Sequence, residues 1–329
     1  MEADILTLAE NLKKGDPAAL ARAITWVESH NPAKRKAGSE LLRLLGPTKT
    51  SSMRVGISGI PGAGKSTLIE ALGLEFIQRG HKVAVLSIDP SSTISGGSIL
   101  GDKTRMARLS NRAEAFIRPS PSRSVFGGLA PHTCESVFLC EAAGFSIVFI
   151  ETVGTGQSEA DVAYVADILI LVNVPGQGDE LQGIKRGIME LCDLIVLNKA
   201  DDENSSEVQR SLAYIKQAIN YLPARAHGRT IEALAVSALK GKGINILADK
   251  IEKTFKELET EGYIFSSRQQ KIKFIFLQYL RNALWAQLTQ SAHVQHALNR
   301  ALERISENPT ELYPCVEEVM LMISKKSNS

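Results

Sequence analysis

Residues 56–67 read Gly-Ile-Ser-Gly-Ile-Pro-Gly-Ala-Gly-Lys-Ser-Thr, and Gly59 to Ser66 matches G-x-x-x-x-G-K-[ST] at every fixed position. Such a loop works only between a buried strand and a helix, and both flanks are legible. Met53 to Ile57 is a largely apolar run, and Thr67 to Ile77 carries helical spacing. Gly59, Gly62 and Gly64 let the backbone take positive φ and bring its N–H groups up to phosphate oxygens, where a side chain would obstruct. Lys65 supplies a point charge for the β- and γ-phosphates, the Ser66 hydroxyl suits Mg²⁺, and the helix that starts here turns its positive end to the same anion. The stretch predicts a nucleoside triphosphate site.

The rest of the chain must supply a sheet around that loop. From residue 82 onward, Lys82–Ile88, Phe145–Ile150, Asp167–Val172 and Leu194–Leu197 are short, nearly continuous apolar runs, the pattern of strands covered on both faces. Helices of about a dozen residues alternate with them, which predicts a parallel, doubly wound α/β sheet. Helical patterns at Asp4–Leu12, Pro17–Val27 behind an Asp16 cap, and Ala33–Leu45 form a prefix. From Asn245 to Glu261 and from Arg268 to Leu288 the pattern is helical again, with an apolar stripe through Phe274, Phe276, Leu277, Leu280, Leu284 and Leu288. That stripe exceeds what one domain edge needs and suits a dimer contact. The expected organisation is a helical extension over 1–50, a nucleotide-binding domain over 51–248 and a C-terminal helical arm over 249–329.

Composition narrows the partners. With 38 Lys+Arg against 36 Asp+Glu, the net charge of +2 does not favour nucleic acid or an anionic membrane. No apolar run is long enough for a bilayer, and the acidic, amphipathic N-terminus differs from a basic targeting leader, so the cytoplasm is the expected compartment. Cys134, Cys140, Cys192 and Cys315 lack zinc spacing and read as reduced, buried thiols. His293 and His296 lack a third ligand and read as surface histidines.

In a doubly wound sheet the ligand lies beyond the C-terminal strand ends. Asp89-Pro-Ser-Ser92 follows one apolar run, Asp102 lies in Gly101-Asp-Lys-Thr-Arg-Met106, and Glu151-Thr-Val-Gly154 follows another with Gly156-Gln-Ser-Glu159 behind it. Acidic strand tips close to a phosphate loop suit magnesium and its waters. Asn198-Lys-Ala-Asp201, directly after Leu194–Leu197, is N-K-x-D, whose aspartate accepts from both N1–H and the exocyclic amine of guanine. Adenine lacks that amine and leaves Asp201 unpaired at a cost of roughly 1–3 kcal/mol, which selects GTP. Ser237-Ala238-Leu239, after Ile231–Val236, is a second base-contacting loop. Two further segments, Pro175-Gly-Gln-Gly-Asp-Glu-Leu-Gln-Gly183 and the proline-extended Ile117-Arg-Pro-Ser-Pro-Ser-Arg123 running into Gly127-Gly128, are either solvated loops or sensors of the γ-phosphate.

Taken together, Gly59–Ser66, Asp89–Ser92, Asp102–Met106, Ile117–Arg123, Glu151–Gly154 with Gly156–Glu159, Pro175–Gly183 and Asn198–Asp201 resemble the methylmalonyl-CoA mutase-associated GTPases, a group also known as arginine/ornithine transport-system kinases. The resemblance covers nearly the full length. It implies a P-loop GTPase fold, hydrolysis of GTP to GDP with Mg²⁺, gating of cobalamin delivery to an acyl-CoA mutase and its protection, an adenosyltransferase as a further partner, and a homodimer through the C-terminal helices. Where the family continues its arginine loop as S-R-G-x-L-G-G, this chain carries Ser124 and Phe126. Compared with Ras-like enzymes, Glu replaces Asp at 151 and no glutamine directly follows Gly154, so slow hydrolysis awaiting a partner is expected.

The candidate residues are therefore Lys65, Asp102 and Glu151 for catalysis; Gly62, Ala63, Gly64, Lys65, Ser66 and Thr67 for the phosphates; Asn198, Lys199, Asp201, Ser237, Ala238 and Leu239 for the base; and Ser66, Asp89, Asp102 and Glu151 for the metal. Two alternative functions are a kinase of a periplasmic amino-acid transport component and a nickel-insertion GTPase. No acceptor-positioning loop supports the first, and the scarcity of His and Cys in the first fifty residues speaks against the second.

Overall fold

A computed structural model of the chain describes residues 2–29, 31–47, 52–89, 106–121, 132–152, 161–176, 186–222 and 228–326. Three helices open it: α1 (Glu2–Lys13), α2 (Pro17–Val27) and α3 (Pro32–Leu45). The α2 start is set by Asp16, whose carboxylate accepts from Ala18 N at 2.9 Å, and the α3 start by Asn31, which accepts from Ala33 N at 2.9 Å. Each cap is followed by proline at the first helical position, where the missing N–H costs nothing.

There follow β1 (Met53–Gly59), α4 (Lys65–Gln78), β2 (Val83–Asp89), α5 (Ala107–Ser110), β3 (Ala115–Pro121), α6 (Thr133–Ala142), β4 (Ile147–Thr152), a 3₁₀ turn (Asp161–Tyr164), β5 (Ile168–Asn173), α7 (Arg186–Met189), β6 (Leu194–Leu197), α8 (Ser206–Asn220), β7 (Glu232–Ala235) and α9 (Ile244–Thr260). Among the described residues the strands form one sheet in the order β3-β2-β4-β1-β5-β6-β7, every pair parallel. The doubly wound sheet predicted from the apolar runs is present, with β1 central and wholly buried.

The sequence reading took Ile117–Arg123 as an extended loop, and its first part is the edge strand β3. Pro119 and Pro121 sit there because an edge strand leaves one row of backbone groups outside the ladder. Arg118 on that strand pairs with Glu28 at 2.6 Å, so this arginine ties the edge to the helical prefix. Arg123 lies outside the described residues.

One face of the sheet packs on α4 and α9. Leu68, Leu72 and Phe76 of α4 are fully buried against Val55, Ile57, Phe149 and Ile170, each worth about 1.5–3 kcal/mol relative to exposure. The other face carries α6, with α1 to α3 outside it. Arg35 of α3 grips Glu135 of α6 through two bonds of 2.7 Å.

At the N-terminal end of β1 lies a buried ionic cluster. Arg54 donates to both oxygens of Glu141 at 2.7 and 3.0 Å, the Ser52 hydroxyl donates to Glu141 as well, and Arg268 binds Asp167 at 2.8 and 2.5 Å and the Ser52 carbonyl at 2.6 Å. Burial alone would raise the Glu141 carboxyl, but the Arg54 bonds and charge, the Ser52 hydroxyl and the charge of Arg268 outweigh it and hold the group below its ordinary value.

The chain divides into two compact units, residues 1–272 and 273–329. Helix α10 (Tyr263–Thr289) runs through the division; the second unit holds its remainder with α11 (Ala292–Glu307), a 3₁₀ turn (Pro309–Glu311) and α12 (Leu312–Lys326). Within it Arg304 reaches Glu318 at 2.6 Å and also pairs with Glu311. All four cysteines are free and buried, as expected from their spacing. Among the described residues no helix is long and apolar enough to cross a membrane, and no group of three or more His, Cys, Asp and Glu side chains could hold a metal ion.

Candidate functional site

The phosphate loop leaves β1 at Gly59. That residue lies so close to β5 that a Cβ on it would come 2.2 Å from the Val172 carbonyl oxygen, and its φ is 144°. Only glycine fits. At Gly64, with φ 83°, a Cβ would lie 2.6 Å from Asn198 Nδ2, so a bare backbone is required at the end of the loop as well as at its start.

Helix α4 begins directly after Gly64, with no side chain capping its first amides. Lys65 is 7 % exposed and donates to the carbonyls of Gly59 at 2.7 Å and Ile60 at 3.0 Å. These bonds fold the ammonium back along the loop. Gly62 is exposed, Ala63 is fully buried, and Ser66 and Thr67 are half-buried in the first turn of α4.

Ser66 Oγ donates to Glu151 Oε1 at 2.8 Å, joining the loop to the end of β4. Ser87 on the neighbouring strand, opposite Glu151 in the ladder, donates to the other oxygen at 3.4 Å. Glu151 is 4 % exposed, so two hydroxyls hold a buried carboxylate at the end of β4. A buried carboxylate beside a serine hydroxyl is a hard-oxygen set that fits Mg²⁺. The backbone of Asp89 ends β2, one residue past the pairing of Ile88 with Thr152, so its Cα belongs to the same strand-end row. Asp102, the loop from Val153 to Ala160 and the stretch 177–185 lie outside the described residues.

The base-reading loops meet the phosphate loop through Asn198. Its Nδ2 donates to the Ala63 carbonyl at 2.9 Å and its Oδ1 accepts from Ala238 N at 3.1 Å, so the first residue of N-K-x-D braces three loops together. Lys199 takes φ 63°, a left-handed conformation rare without glycine, and thereby turns the chain sharply between Asn198 and Asp201. Asp201 accepts from Ser237 Oγ at 2.5 Å, its Oδ2 lies 3.9 Å from Lys240 Nζ, and Lys242 Nζ donates to its carbonyl at 2.9 Å. Ser237 is fully buried, whereas Leu239 is 79 % exposed at the rim.

Thus the loops that carry the predicted phosphate and base residues meet at the C-terminal strand ends of the first unit. Sequence reading missed Ser87. Its signal was a single hydroxyl inside the apolar run Val83–Ile88, and only the β2–β4 register gives that hydroxyl a partner.

The model of the family described as "Methylmalonyl Co-A mutase-associated GTPase MeaB" matches residues 20–293. The chain is 43 % identical over 268 residues to GTPase ArgK of Escherichia coli, covering 80 % of this chain and 81 % of that one. It is 42 % identical over 276 residues to the mitochondrial methylmalonic aciduria type A homolog of Mus musculus, covering 81 % and 66 % respectively. A crystal structure described as an LAO/AO transport system kinase superposes with a TM-score of 0.77 at 31 % identity, covering 98 % of this chain and 99 % of that one.

Proposed function

Because this chain belongs to the family of methylmalonyl-CoA mutase-associated GTPases, we propose that it uses its GTPase activity to gate the loading of cobalamin into an acyl-CoA mutase and to protect that mutase. The family match over residues 20–293 carries the reading. In it, Lys65 and the amides of Gly62 to Ser66 bind the triphosphate, and Asp201 accepts from guanine while Ser237 holds its carboxylate in place. Ser66 and Glu151, with Asp89 and Asp102, would hold Mg²⁺, which would supply charge neutralisation at the phosphates.

The Ser66–Glu151 bond, 2.8 Å long, supports a switch. That hydroxyl joins the first turn of α4 to the end of β4, so a change of hydrogen bonding at the phosphate loop would be felt at the end of that strand. Exposed apolar side chains in residues 273–329, among them Phe276, Trp285 and Met320, support a homodimer through that unit. An adenosyltransferase joins the list of proposed partners, and the cytoplasm is the proposed compartment.

The kinase described for the structural neighbour is the competing reading, and one experiment separates them. GTP labelled at the γ-position is incubated with the full chain, and the chain loaded with a non-hydrolysable GTP analogue is used to capture binding proteins. Label ending as free phosphate, with a cobalamin-dependent mutase retained on the analogue and released with GDP, supports the switch. Label transferred to a protein would overturn it.

A further inference from the structure

The direction in which the Glu151 carboxylate points is set by its neighbours in the sheet. Ile147 and Phe149 of β4, Val83 and Val85 of β2 and Val55 and Ile57 of β1 all belong to the core built on α4. Side chains two residues apart on a strand share a face, so Glu151 and Ser87 stand on the α4 side, and the first turn of α4 carries Ser66. The register gives the carboxylate a neighbour on each flank. On β1 its partner is Ile57, whose side chain has nothing to donate. On β2 its partner is Ser87, fully buried, whose hydroxyl donates to Oε2 at 3.4 Å. Ser66 Oγ donates to Oε1 at 2.8 Å.

The two oxygens of one carboxylate are thus divided between the phosphate-loop serine and strand β2. An ionised carboxylate only accepts hydrogen bonds, and the last torsion of a glutamate side chain is broad, so a donor on each oxygen is what fixes its plane. The Ser87 bond is the longer of the two and therefore the weaker, so its loss should leave the sheet intact. A hydroxyl at this position also calls for a reason. Val83, Ala84, Val85 and Leu86 before it are buried and apolar, and a polar group in such a run is costly unless it is hydrogen-bonded. Glu151 supplies the acceptor that makes serine tolerable there.

We propose that Ser87 is a positioning residue for GTP hydrolysis: by holding Oε2 of Glu151 towards β2 it keeps Oε1 on the Ser66 hydroxyl, so that the acid at the end of β4 and the serine of the phosphate loop stay together. Ser87 is itself closed off by burial and acts through Glu151. The proposal rests on the reading of Ser66 and Glu151 as residues that would hold Mg²⁺ beside GTP, and it names the side chain that sets the geometry of that pair.

The test compares the parent chain with Ser87→Ala, Glu151→Gln and the double variant. Single-turnover GTP hydrolysis is followed across Mg²⁺ concentrations, and affinity for a fluorescent GTP analogue is measured without Mg²⁺. All rates are read below the melting temperature of each variant, so loss of fold is not counted as loss of turnover. In Ser87→Ala the rate constant at limiting Mg²⁺ falls about 10-fold, and the Mg²⁺ needed for half the maximal rate rises by a similar factor, the lower end for losing a group that orients a metal ligand. Affinity for the analogue stays within about two-fold, because the phosphate-loop amides and Asp201 are untouched. In Glu151→Gln the rate falls at least as far, and adding Ser87→Ala costs no more than about a further two-fold, since a residue that works through Glu151 has nothing left to position. A crystal structure of nucleotide-free Ser87→Ala shows Glu151 Oε1 displaced from Ser66 Oγ. A parental rate and Mg²⁺ requirement in Ser87→Ala beside a slow Glu151→Gln would overturn the role of Ser87. So would a loss that repeats in full on the Glu151→Gln background, a matching loss of analogue affinity, or a carboxylate that keeps its place in the Ser87→Ala crystal. Parental hydrolysis in Glu151→Gln would instead remove the metal reading on which the proposal rests, and failure of the parent chain to bind the analogue would remove the nucleotide reading beneath both.

Discussion

Asp201 receives the Ser237 hydroxyl at 2.5 Å, so the carboxylate proposed to face the base is already oriented. Guanine presents N1–H and a C2 amine to it, while xanthine carries a carbonyl at C2 that would meet the carboxylate with like polarity. In Asp201→Asn the amide donates where the carboxylate accepted. We expect GTP affinity to fall about 10- to 100-fold and xanthosine triphosphate to become the tighter ligand, the scale expected when a site's polar pairing is inverted. Competition against a fluorescent nucleotide measures both, and an unchanged order of affinities would remove Asp201 as the base reader. The residues with fixed spacing, Gly59 to Ser66 and Asn198 to Asp201, were legible because chemistry ties them to one another along the chain. Ser87 was not, for it is a lone polar residue near the end of an apolar run, and its neighbours come from other strands through the register.

The elements are tied together at the end of the sheet remote from the nucleotide. Arg54 on β1, Glu141 at the end of α6, Asp167 before β5 and Arg268 on α10 share one buried cluster. Glu141→Gln leaves Arg54 facing a neutral amide in a buried place, and the free energy of unfolding should drop by about 3–5 kcal/mol, read from urea denaturation. The same loss has a pH signature. The Glu141 carboxyl is lowered in the folded chain, so its stabilisation is complete above the ordinary carboxylate range and disappears as pH falls through the folded-state value, because the unfolded chain takes up the proton first. The gap between parent and variant should therefore close on acidification; a gap independent of pH would show that the charge is not what stabilises. Glu135 shifts the same way: burial would raise it, but the His132 hydrogen bond and Arg35 prevail. Apolar runs identified β1, β2, β4, β5 and β6 from sequence because strands covered on both faces must be apolar. Strand β3 was missed because an edge strand need not be, and Arg118, Pro119 and Pro121 broke its pattern.

The chain divides into one unit that carries the proposed nucleotide-binding loops and a second, residues 273–329, that is helical in its described residues. Phe276, Leu277, Leu284, Trp285, Met320 and Leu321 of that second unit are between 51 and 61 % exposed, far more apolar surface than helices left alone in water usually show. If a second copy covers it, Leu284→Lys combined with Trp285→Glu should convert a particle of twice 35.7 kDa into one of 35.7 kDa by sedimentation. A parent chain that already sediments as the single chain would rule out the homodimer. The cysteines bear on how movement in such a particle could be watched. All four thiols are buried, and burial pushes Cys134 up to about 12 and raises Cys140 as well, so these two present no reactive thiolate at neutral pH and the other two are screened from a reagent by burial alone. A cysteine introduced at Tyr313, 71 % exposed on α12, would then be the one site to accept a maleimide dye. Native cysteines need not be removed first, and fluorescence from that single position could follow the arm through a turnover of GTP in the otherwise natural chain.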